Sequence, residues 1–163
     1  IGPTGLLEST VNLKIALRLK DLLNKKGAKV ILTREKEQDK NSPTLEKRVE
    51  DANTSGADLF ISIHQNASVD QSACGTEVYY YNENSSPIAK FILDTICSKI
   101  GLVSRGVKKR GFAVTQDITV MPSILVECAF ISNPAEEKLL GSDSFINLIA
   151  EGLLTGIEKF FES

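Results

Sequence analysis

Residues 58–64 read DLFISIH, an apolar run that only Ser62 interrupts before it ends at His64. A strand that is apolar on both faces is typical of the interior of a sheet that helices cover on both sides. The stretch therefore predicts a central β-strand, and with it a domain of the α/β class.

Helical and β-rich periodicities alternate on both sides of this strand, as expected for a layered domain. The spacing of apolar residues predicts helices over residues 8–26, 45–53, 87–100, 134–140 and 145–161, and strands over residues 29–33, 58–64, 76–81, 112–115 and 123–126. We expect the fold class α/β, with a single mixed, mostly parallel central sheet and helices on both faces. A chain of 163 residues fits one domain with a continuous core.

Composition and charge exclude several other classes of protein. The chain is 42% hydrophobic and 25% charged, which is ordinary for a globular protein and not for a disordered one. No apolar stretch reaches membrane-spanning length, so we expect no membrane span in this chain. The net charge of -2 gives no general attraction for polyanions, and we expect no nucleic-acid partner.

One local cluster is basic, and it consists of Arg105, Lys108, Lys109 and Arg110. No aromatic residues interleave with it to stack on bases, so the pattern favours a solvated turn. Contact with an anionic polymer is the alternative.

Glu8 and His64 are polar residues next to apolar patterns. Glu8 extends the apolar stripe of the first helix through Asn12, so its carboxylate is expected to face the sheet. The alternative is an acid in the first turn that the helix dipole favours. His64, the single histidine, ends the most apolar strand, where open α/β sheets bind their ligands. Its alternative is a hydrogen-bonded structural role.

Glu127 lies inside a second apolar run at residues 124–130. An unpaired charge is costly to bury at such a position. A raised pKa or a nearby cation removes this cost, and a catalytic general base in a metal site requires both. The alternative is a buried ion pair, for which the candidate partners are Arg34, Arg48 and Arg105.

One helix start and two strand ends are thus expected to present two glutamates and a histidine at one edge of the sheet. Nitrogen and oxygen ligands of this kind suit zinc. A catalytic zinc commonly has three protein ligands and one water. Glu8, His64 and Glu127 leave open which group is the third ligand and which is the base.

Several blocks of sequence extend over nearly the whole chain in the order of a known family. They are GLLE at 5–8, VILTR at 30–34, LEKR at 45–48, ADLFISIHQNA at 57–67, GTEVYY at 75–80, RGVK at 105–108 and MPSILVECAFISN at 121–133. Together they resemble the zinc-dependent N-acetylmuramoyl-L-alanine amidases, type 3, which are the catalytic domains of autolysins, cell-separation amidases, spore-cortex enzymes and some phage endolysins.

The resemblance implies that Glu8 and His64 are ligands of a Zn²⁺ ion and that Glu127 is the catalytic glutamate. It implies hydrolysis of the amide bond between N-acetylmuramic acid and the L-alanine of the peptide stem in peptidoglycan. Glu127 would take a proton from the attacking water and return it to the leaving nitrogen. Candidates for binding the glycan or the peptide are Asn66, Ser132 and Asn133.

Members of this family begin with a strand that ends in an Asp-x-Gly-His-Gly-Gly-like turn, whose histidine is a further zinc ligand. Residues 1–163 contain no such turn, so we expect a catalytic domain without the family's first strand, and a third zinc ligand upstream of Ile1. The alternative is a noncatalytic peptidoglycan-binding or regulatory module with an amidase-like fold. A metallopeptidase that cleaves between amino acids is a third class.

The resemblance also bears on regulation and location. Several cell-separation amidases insert a metal-covering helix after the strand that corresponds to residues 76–81, whereas only residues 82–86 intervene here. This implies an open site, or one controlled by expression or by a separate regulatory protein. Peptidoglycan as the substrate implies extracytoplasmic action, in the cell wall or the spore cortex.

Overall fold

A computed structural model describes residues 1–37 and 43–163. The helices are α1 (Glu8–Lys25), α2 (Leu45–Thr54), α3 (Ser86–Ile100), α4 (Ala113–Gln116), α5 (Pro134–Leu140) and α6 (Asp143–Glu162). The strands are β1 (Phe60–Asn66), β2 (Thr76–Tyr80), β3 (Ser104–Lys109) and β4 (Ser123–Phe130), and a 3-10 turn covers Glu83–Ser85. Within the described ranges, no helix has the length and apolar character needed to cross a membrane.

The helix ends follow ordinary capping chemistry. Thr44 Oγ1 accepts a hydrogen bond of 3.2 Å from the Lys47 backbone N–H at the start of α2. Asn133 caps α5 directly before Pro134, which occupies the first helical position. Gly101 ends α3 in the left-handed region, with φ of 71°. These local signals explain why the five predicted helices are present with nearly the predicted bounds.

The four strands form one sheet in the order β1-β4-β2-β3. β1 is parallel to β4, β2 is parallel to β3, and β2 is antiparallel to β4. The sheet is therefore mixed, and the expectation of a mostly parallel sheet is wrong. A parallel neighbour needs a crossover of a dozen or more residues, usually a helix. The short loop at residues 67–75 contains no helix, so β2 runs opposite to β1 and β4.

Two of the predicted strands are not formed. Residues 29–33 have no strand conformation and pair with no strand within the described ranges. Residues 112–115 instead begin α4, where the Phe112 N–H donates to Thr115 Oγ1 at 2.9 Å and closes a helical turn. The strand of this region is β3, on the basic cluster that was predicted to be a solvated turn. Lysines are common on edge strands, where they oppose aggregation.

Side chains alternate across the sheet and divide the core into two parts. Ile63 and Val126 pack with α1, α3 and α6 on what we call the thick face. Phe60, Tyr79 and Leu125 pack with the short helices α2 and α4 on the opposite face, the thin face. Helices therefore cover both faces, as predicted, but unequally.

Helices α3 and α6 pack closely because α6 carries two glycines at the contact. A Cβ atom at Gly152 would lie 2.9 Å from Ile96 Cα, and one at Gly156 would lie 2.8 Å from Thr95 Oγ1. Thr95 Oγ1 also donates a hydrogen bond of 2.8 Å to the Gly152 carbonyl. The missing side chains allow the two backbones to approach.

Gly152→Val should lower the free energy of unfolding by about 1–3 kcal/mol, the usual cost of overpacking, because the new side chain meets the backbone of Ile96. Gly141→Val is the matched control, since Gly141 is exposed and a Cβ there meets no atom closer than 3.5 Å. Its effect should stay within about 0.5 kcal/mol. Denaturant unfolding followed by circular dichroism measures both variants, and equal stabilities would contradict the close packing.

Candidate functional site

Three ionisable residues form a row across the thin face of the sheet. His64 is the register partner of Glu127 in the parallel pair of β1 and β4. Glu77 is the register partner of Glu127 in the antiparallel pair of β4 and β2. Directly opposed residues project to the same face, with Cβ atoms roughly 4.5–5.5 Å apart in an antiparallel pair. The three side chains are therefore neighbours, although they are far apart in the sequence.

Glu8 reaches this row from the first turn of α1. Its Oε1 accepts hydrogen bonds from His64 Nδ1 at 3.0 Å, from the Gln65 backbone N–H at 3.1 Å and from Asn12 Nδ2 at 3.1 Å. Burial alone would raise the pKa of Glu8, but these hydrogen bonds, that of His64 above all, lower it to about 2. The carboxylate is ionised and is tied to β1.

His64 lies between Glu8 and Ser62. The ionised Glu8 can only accept a hydrogen bond, so Nδ1 of the imidazole carries the hydrogen, while Nε2 lies 3.1 Å from Ser62 Oγ. The hydrogen bond to Glu8 raises the pKa of His64, against the opposing effect of burial. The His64 side chain is 43% exposed, which leaves the imidazole accessible from solvent.

Glu127 lies in a gap of the helical cover. It is the one residue of β4 that is not fully buried, yet its Oε2 atom is buried and has no hydrogen-bond partner among the described residues. Burial raises the pKa of Glu127 to about 7; the charge of His64 opposes this shift, and the charges of Glu8 and Glu77 add to it. A carboxyl group with this pKa can accept or donate a proton near neutral pH.

The arginines considered as partners of Glu127 are engaged elsewhere. Arg34 and Arg48 donate to backbone carbonyl groups, at 2.7 Å and 3.1 Å, and Arg105 donates to Glu77 at 3.1 Å. Within residues 1–37 and 43–163, Glu127 makes no ion pair. The alternative of a buried ion pair at this position is therefore wrong for the described structure.

The donors of this site fit a zinc ion in part. A carboxylate oxygen and an unprotonated imidazole nitrogen are both zinc donors, and a zinc ion between Glu8 Oε1 and His64 Nδ1, which are 3.0 Å apart, would replace the hydrogen that joins them. A buried oxygen without a partner, as on Glu127, is expected to meet a water or an ion. The part of the chain that the structure describes holds no group of three or more His, Cys, Asp or Glu side chains arranged for a metal. Among these residues, Glu8 and His64 are the pair of donors in direct contact.

Of the predicted substrate-binding residues, Asn66 is the last residue of β1, and Ser132 and Asn133 follow the end of β4. Asn66 Nδ2 donates to Glu77 Oε1 at 2.7 Å, and Ser132 Oγ accepts from the Ser68 backbone N–H at 2.9 Å. Asn133 Oδ1 accepts from two backbone N–H groups of α5. Each side chain has a partner within the protein, and contact with a substrate stays a prediction.

Glu77 is a buried carboxylate beside the site, and it is not among the residues that the sequence analysis predicted there. It is 2% exposed and interrupts the β-rich run of residues 76–81, just as Glu127 interrupts residues 124–130. The same signal, a charge inside an apolar strand, would have found both residues.

Glu137, in α5, is a second such carboxylate, and it holds the segment that precedes Glu8. It is 2% exposed and accepts from the Thr4 backbone N–H at 2.9 Å and from the Leu6 backbone N–H at 3.4 Å. An acid in the first turn of a helix is ordinary, so the sequence carried no signal for this contact.

Solved structures of N-acetylmuramoyl-L-alanine amidases have the same α/β fold. AmiC2 of Nostoc punctiforme superimposes with a TM-score of 0.93 at 34% identity, over 99% of this chain and 88% of that one. The CwlD amidase from Clostridioides difficile, solved in complex with the GerS lipoprotein, gives a TM-score of 0.90 at 30% identity, over 99% of this chain and 90% of that one. The fold is thus that of a peptidoglycan amidase.

Sequence comparison leads to the same family. The family model described as N-acetylmuramoyl-L-alanine amidase matches residues 1–159. The germination-specific N-acetylmuramoyl-L-alanine amidase of Bacillus subtilis (strain 168) is 34% identical over 180 residues, which cover 98% of this chain and 76% of that protein. The chain belongs to the type 3 family of N-acetylmuramoyl-L-alanine amidases, as its motifs predicted.

Glu137→Ala should lower the free energy of unfolding by about 1–3 kcal/mol, because it leaves the Thr4 and Leu6 N–H groups without their acceptor. Hydrogen exchange at these two amides should accelerate more than exchange in the β4 core. Glu35→Ala is the control, since it removes only an exposed ion pair with Lys20. Unchanged exchange at Thr4 and Leu6 would show that Glu137 does not hold this segment.

Proposed function

We propose that the chain is the catalytic domain of a zinc-dependent N-acetylmuramoyl-L-alanine amidase that hydrolyses the amide bond between N-acetylmuramic acid and L-alanine in peptidoglycan. One observation carries the proposal: an ionised Glu8 paired with His64 lies beside a glutamate, Glu127, whose pKa is raised to about 7. Family membership supports the substrate class.

Glu8 and His64 are the proposed zinc ligands from this chain. A bound zinc ion supplies an acidified water nucleophile and polarises the scissile carbonyl group. Hydrogen bonds from the Gln65 N–H and from Asn12 Nδ2 fix the orientation of the Glu8 carboxylate. Gln65 Nε2 in turn donates to Asn12 Oδ1 at 3.1 Å, which joins α1 to β1 at the site.

Glu127 is the proposed general acid and base. Its carboxylate takes a proton from the attacking water and then returns it to the nitrogen of the departing L-alanine, which leaves as a neutral amine. The half-buried position supports both steps. Burial brings the pKa of Glu127 to about 7, so both protonation states are populated near neutral pH.

The third zinc ligand is proposed to lie upstream of Ile1, on a strand that completes the sheet. β1 is an edge strand of the described sheet. Its residues Phe60, Ile61 and Ile63 are apolar, as in a central strand, yet they are only half-buried. Ile31 lines a cleft together with these three side chains and is 60% exposed. A further strand on the free edge of β1 would pair its backbone and cover these side chains.

The segment between β2 and α3 bears on access to the proposed zinc site, and the relatives bear on where the enzyme acts. Between β2 and α3 the structure has only the 3-10 turn Glu83–Ser85, so the segment between them contributes no helix over Glu8 and His64. We infer an open site, or one controlled by a separate regulatory protein, as the complex of the related amidase with a lipoprotein illustrates. The cell wall or the spore cortex is the inferred place of action, since a relative is specific to germination.

A noncatalytic peptidoglycan-binding or regulatory module is the second candidate. The observation that favours it is that no three-ligand metal group occurs in the described ranges. A metallopeptidase is distinguished by its products, because only an amidase releases peptide stems that begin with a free L-alanine amino group.

Glu127→Gln in the full-length protein should keep the bound zinc and lower the rate of stem release by about 10²–10⁴-fold, the usual contribution of a general acid and base. The measurements are new amino termini released from purified peptidoglycan, and zinc content by elemental analysis. Glu83→Gln is the control at an exposed glutamate. Wild-type turnover in Glu127→Gln would exclude the proposed role.

His64→Ala should weaken zinc binding by more than about 100-fold, since even residues that only support a ligand contribute 10–100-fold. Competition with a chromogenic chelator measures the affinity in the full-length protein. Ser62→Ala, on the same strand face, removes only a hydrogen bond to the His64 ring and should weaken the affinity less, by at most about 10–100-fold. Absence of zinc from the full-length wild type would favour the noncatalytic module.

A further inference from the structure

Two cationic side chains, Arg105 and Lys108, form ion pairs with the single carboxylate of Glu77. Asn66 Nδ2 and Tyr79 Oη donate to its Oε1, and Arg105 Nε and Lys108 Nζ donate to its Oε2. Burial alone would raise the pKa of Glu77, but these partners, Lys108 first, lower it, so the carboxylate is ionised. One cation is sufficient to neutralise one carboxylate, and the second leaves the cluster with a net charge of +1.

Arg105 and Lys108 present this charge at the surface in a fixed arrangement. Their side chains are 38% and 41% exposed, while Glu77 beneath them is 2% exposed. The Arg105 guanidinium lies 4.8 Å from the centroid of the Phe130 ring, and Lys108 Nζ lies 5.8 Å from that of Tyr79. Contacts of cations with aromatic faces add to the ion pairs and restrict both side chains.

The two cations continue the row of the site. Lys108 is the register partner of Tyr79, a thin-face residue, and Glu77 is the partner of Glu127 on that same face. Going outward from Glu127, β2 and then β3 are the next strands. Neighbouring strands are about 4.8 Å apart, and both charged groups reach back from β3 to Glu77 on β2, so they lie roughly 5–10 Å from Glu127.

The proposed substrate carries carboxylates on one side only of the scissile bond. The carboxyl group of muramic acid is consumed in the amide itself, whereas any peptide stem ends in a free carboxylate. An extended peptide covers about 3.3–3.6 Å per residue, so about two to three residues span roughly 5–10 Å. A cationic pair at this distance from Glu127 matches the peptide and not the glycan.

We propose that Arg105 and Lys108 bind a carboxylate of the peptide stem and thereby set the direction in which the substrate crosses Glu127. Glu77 is a positioning residue that holds both cations, and it does not touch the substrate. This inference rests on the proposed function. It also gives a role to Arg105 and Lys108 of the basic cluster, which would bind one carboxylate group instead of a polyanion.

Lys109, next to Lys108 in β3, forms an ordinary ion pair between two exposed side chains. It is the register partner of Tyr80, on the opposite face, and pairs one-to-one with Glu83. Its side chain is 52% exposed. Lys109→Gln is therefore a matched control for Lys108→Gln, because both remove one exposed lysine charge from β3.

The kinetic test uses the full-length, zinc-loaded protein and two substrates. One is muramoyl-L-alanyl-glutamate, and the other is the same compound with both glutamate carboxyl groups converted to amides. Wild type should have a KM about tenfold lower for the acid, which corresponds to one charge-assisted hydrogen bond. Lys108→Gln should remove this preference by raising the KM for the acid alone, with kcat nearly unchanged. Lys108→Arg should restore it.

The outcomes separate substrate binding from a structural role. Equal KM values of the wild type for the two substrates would overturn the inference. An equal loss on both substrates in Lys108→Gln, or the same loss of preference in Lys109→Gln, would overturn it as well. Circular dichroism checks that each variant is folded, and Arg105→Gln replaces Lys108→Gln if the latter is not.

A binding measurement keeps this inference separate from the proposed reaction. L-alanyl-glutamate and its diamide are titrated calorimetrically into wild type, Lys108→Gln and Lys109→Gln. If the wild type cleaves neither substrate, the proposed function fails, but tighter binding of the acid that is lost only in Lys108→Gln still supports the carboxylate site. Equal binding of the acid and the diamide to wild type overturns the site whether or not the protein is active.

Discussion

A carboxylate that leaves water must find a partner or take up a proton, and this requirement organises one end of the sheet. Glu136 is satisfied by the backbone N–H groups of Gly75 and Phe130, at 2.8 Å and 2.6 Å. Glu137 binds backbone N–H groups before α1, and Glu77 binds two cations. Glu127 has one buried oxygen without a partner in the described ranges, and its pKa is raised instead. Incomplete pairing thus distinguishes Glu127 from the other three carboxylates.

The helices cover the two faces of the sheet unequally, and this makes Glu127 accessible from the thin face. Three long helices close the thick face, and their contact is tight enough to require Gly152 and Gly156. Among the helices that the structure describes, only α2 and α4 cover the thin face, so His64 and Glu127 are partly open to solvent. The larger core and the candidate site are therefore on opposite faces of the same sheet, because alternation along β1, β2 and β4 places His64, Glu77 and Glu127 on the thin face.

The helices were predictable from the sequence because their signals are local. Apolar stripes, the cap at Asn133 and the stop at Gly101 act within one or two turns. Strands were less predictable, because a strand exists only with a partner. Residues 29–33 have the composition of a strand and no ladder, whereas β3 is rich in lysine and arginine and does pair with β2. The loop at 67–75 reversed β2 and made the sheet mixed.

The sequence by itself determined the fold class, the family and the residues out of keeping with their surroundings, Glu8, His64 and Glu127, because a charge within an apolar pattern is visible in one dimension. Only the tertiary structure decided what each charge meets. It brought Glu8 within 3.0 Å of His64, gave Arg105 to Glu77, and left Glu127 without an arginine. Such pairings depend on strand order and register, which long-range contacts fix and local sequence does not.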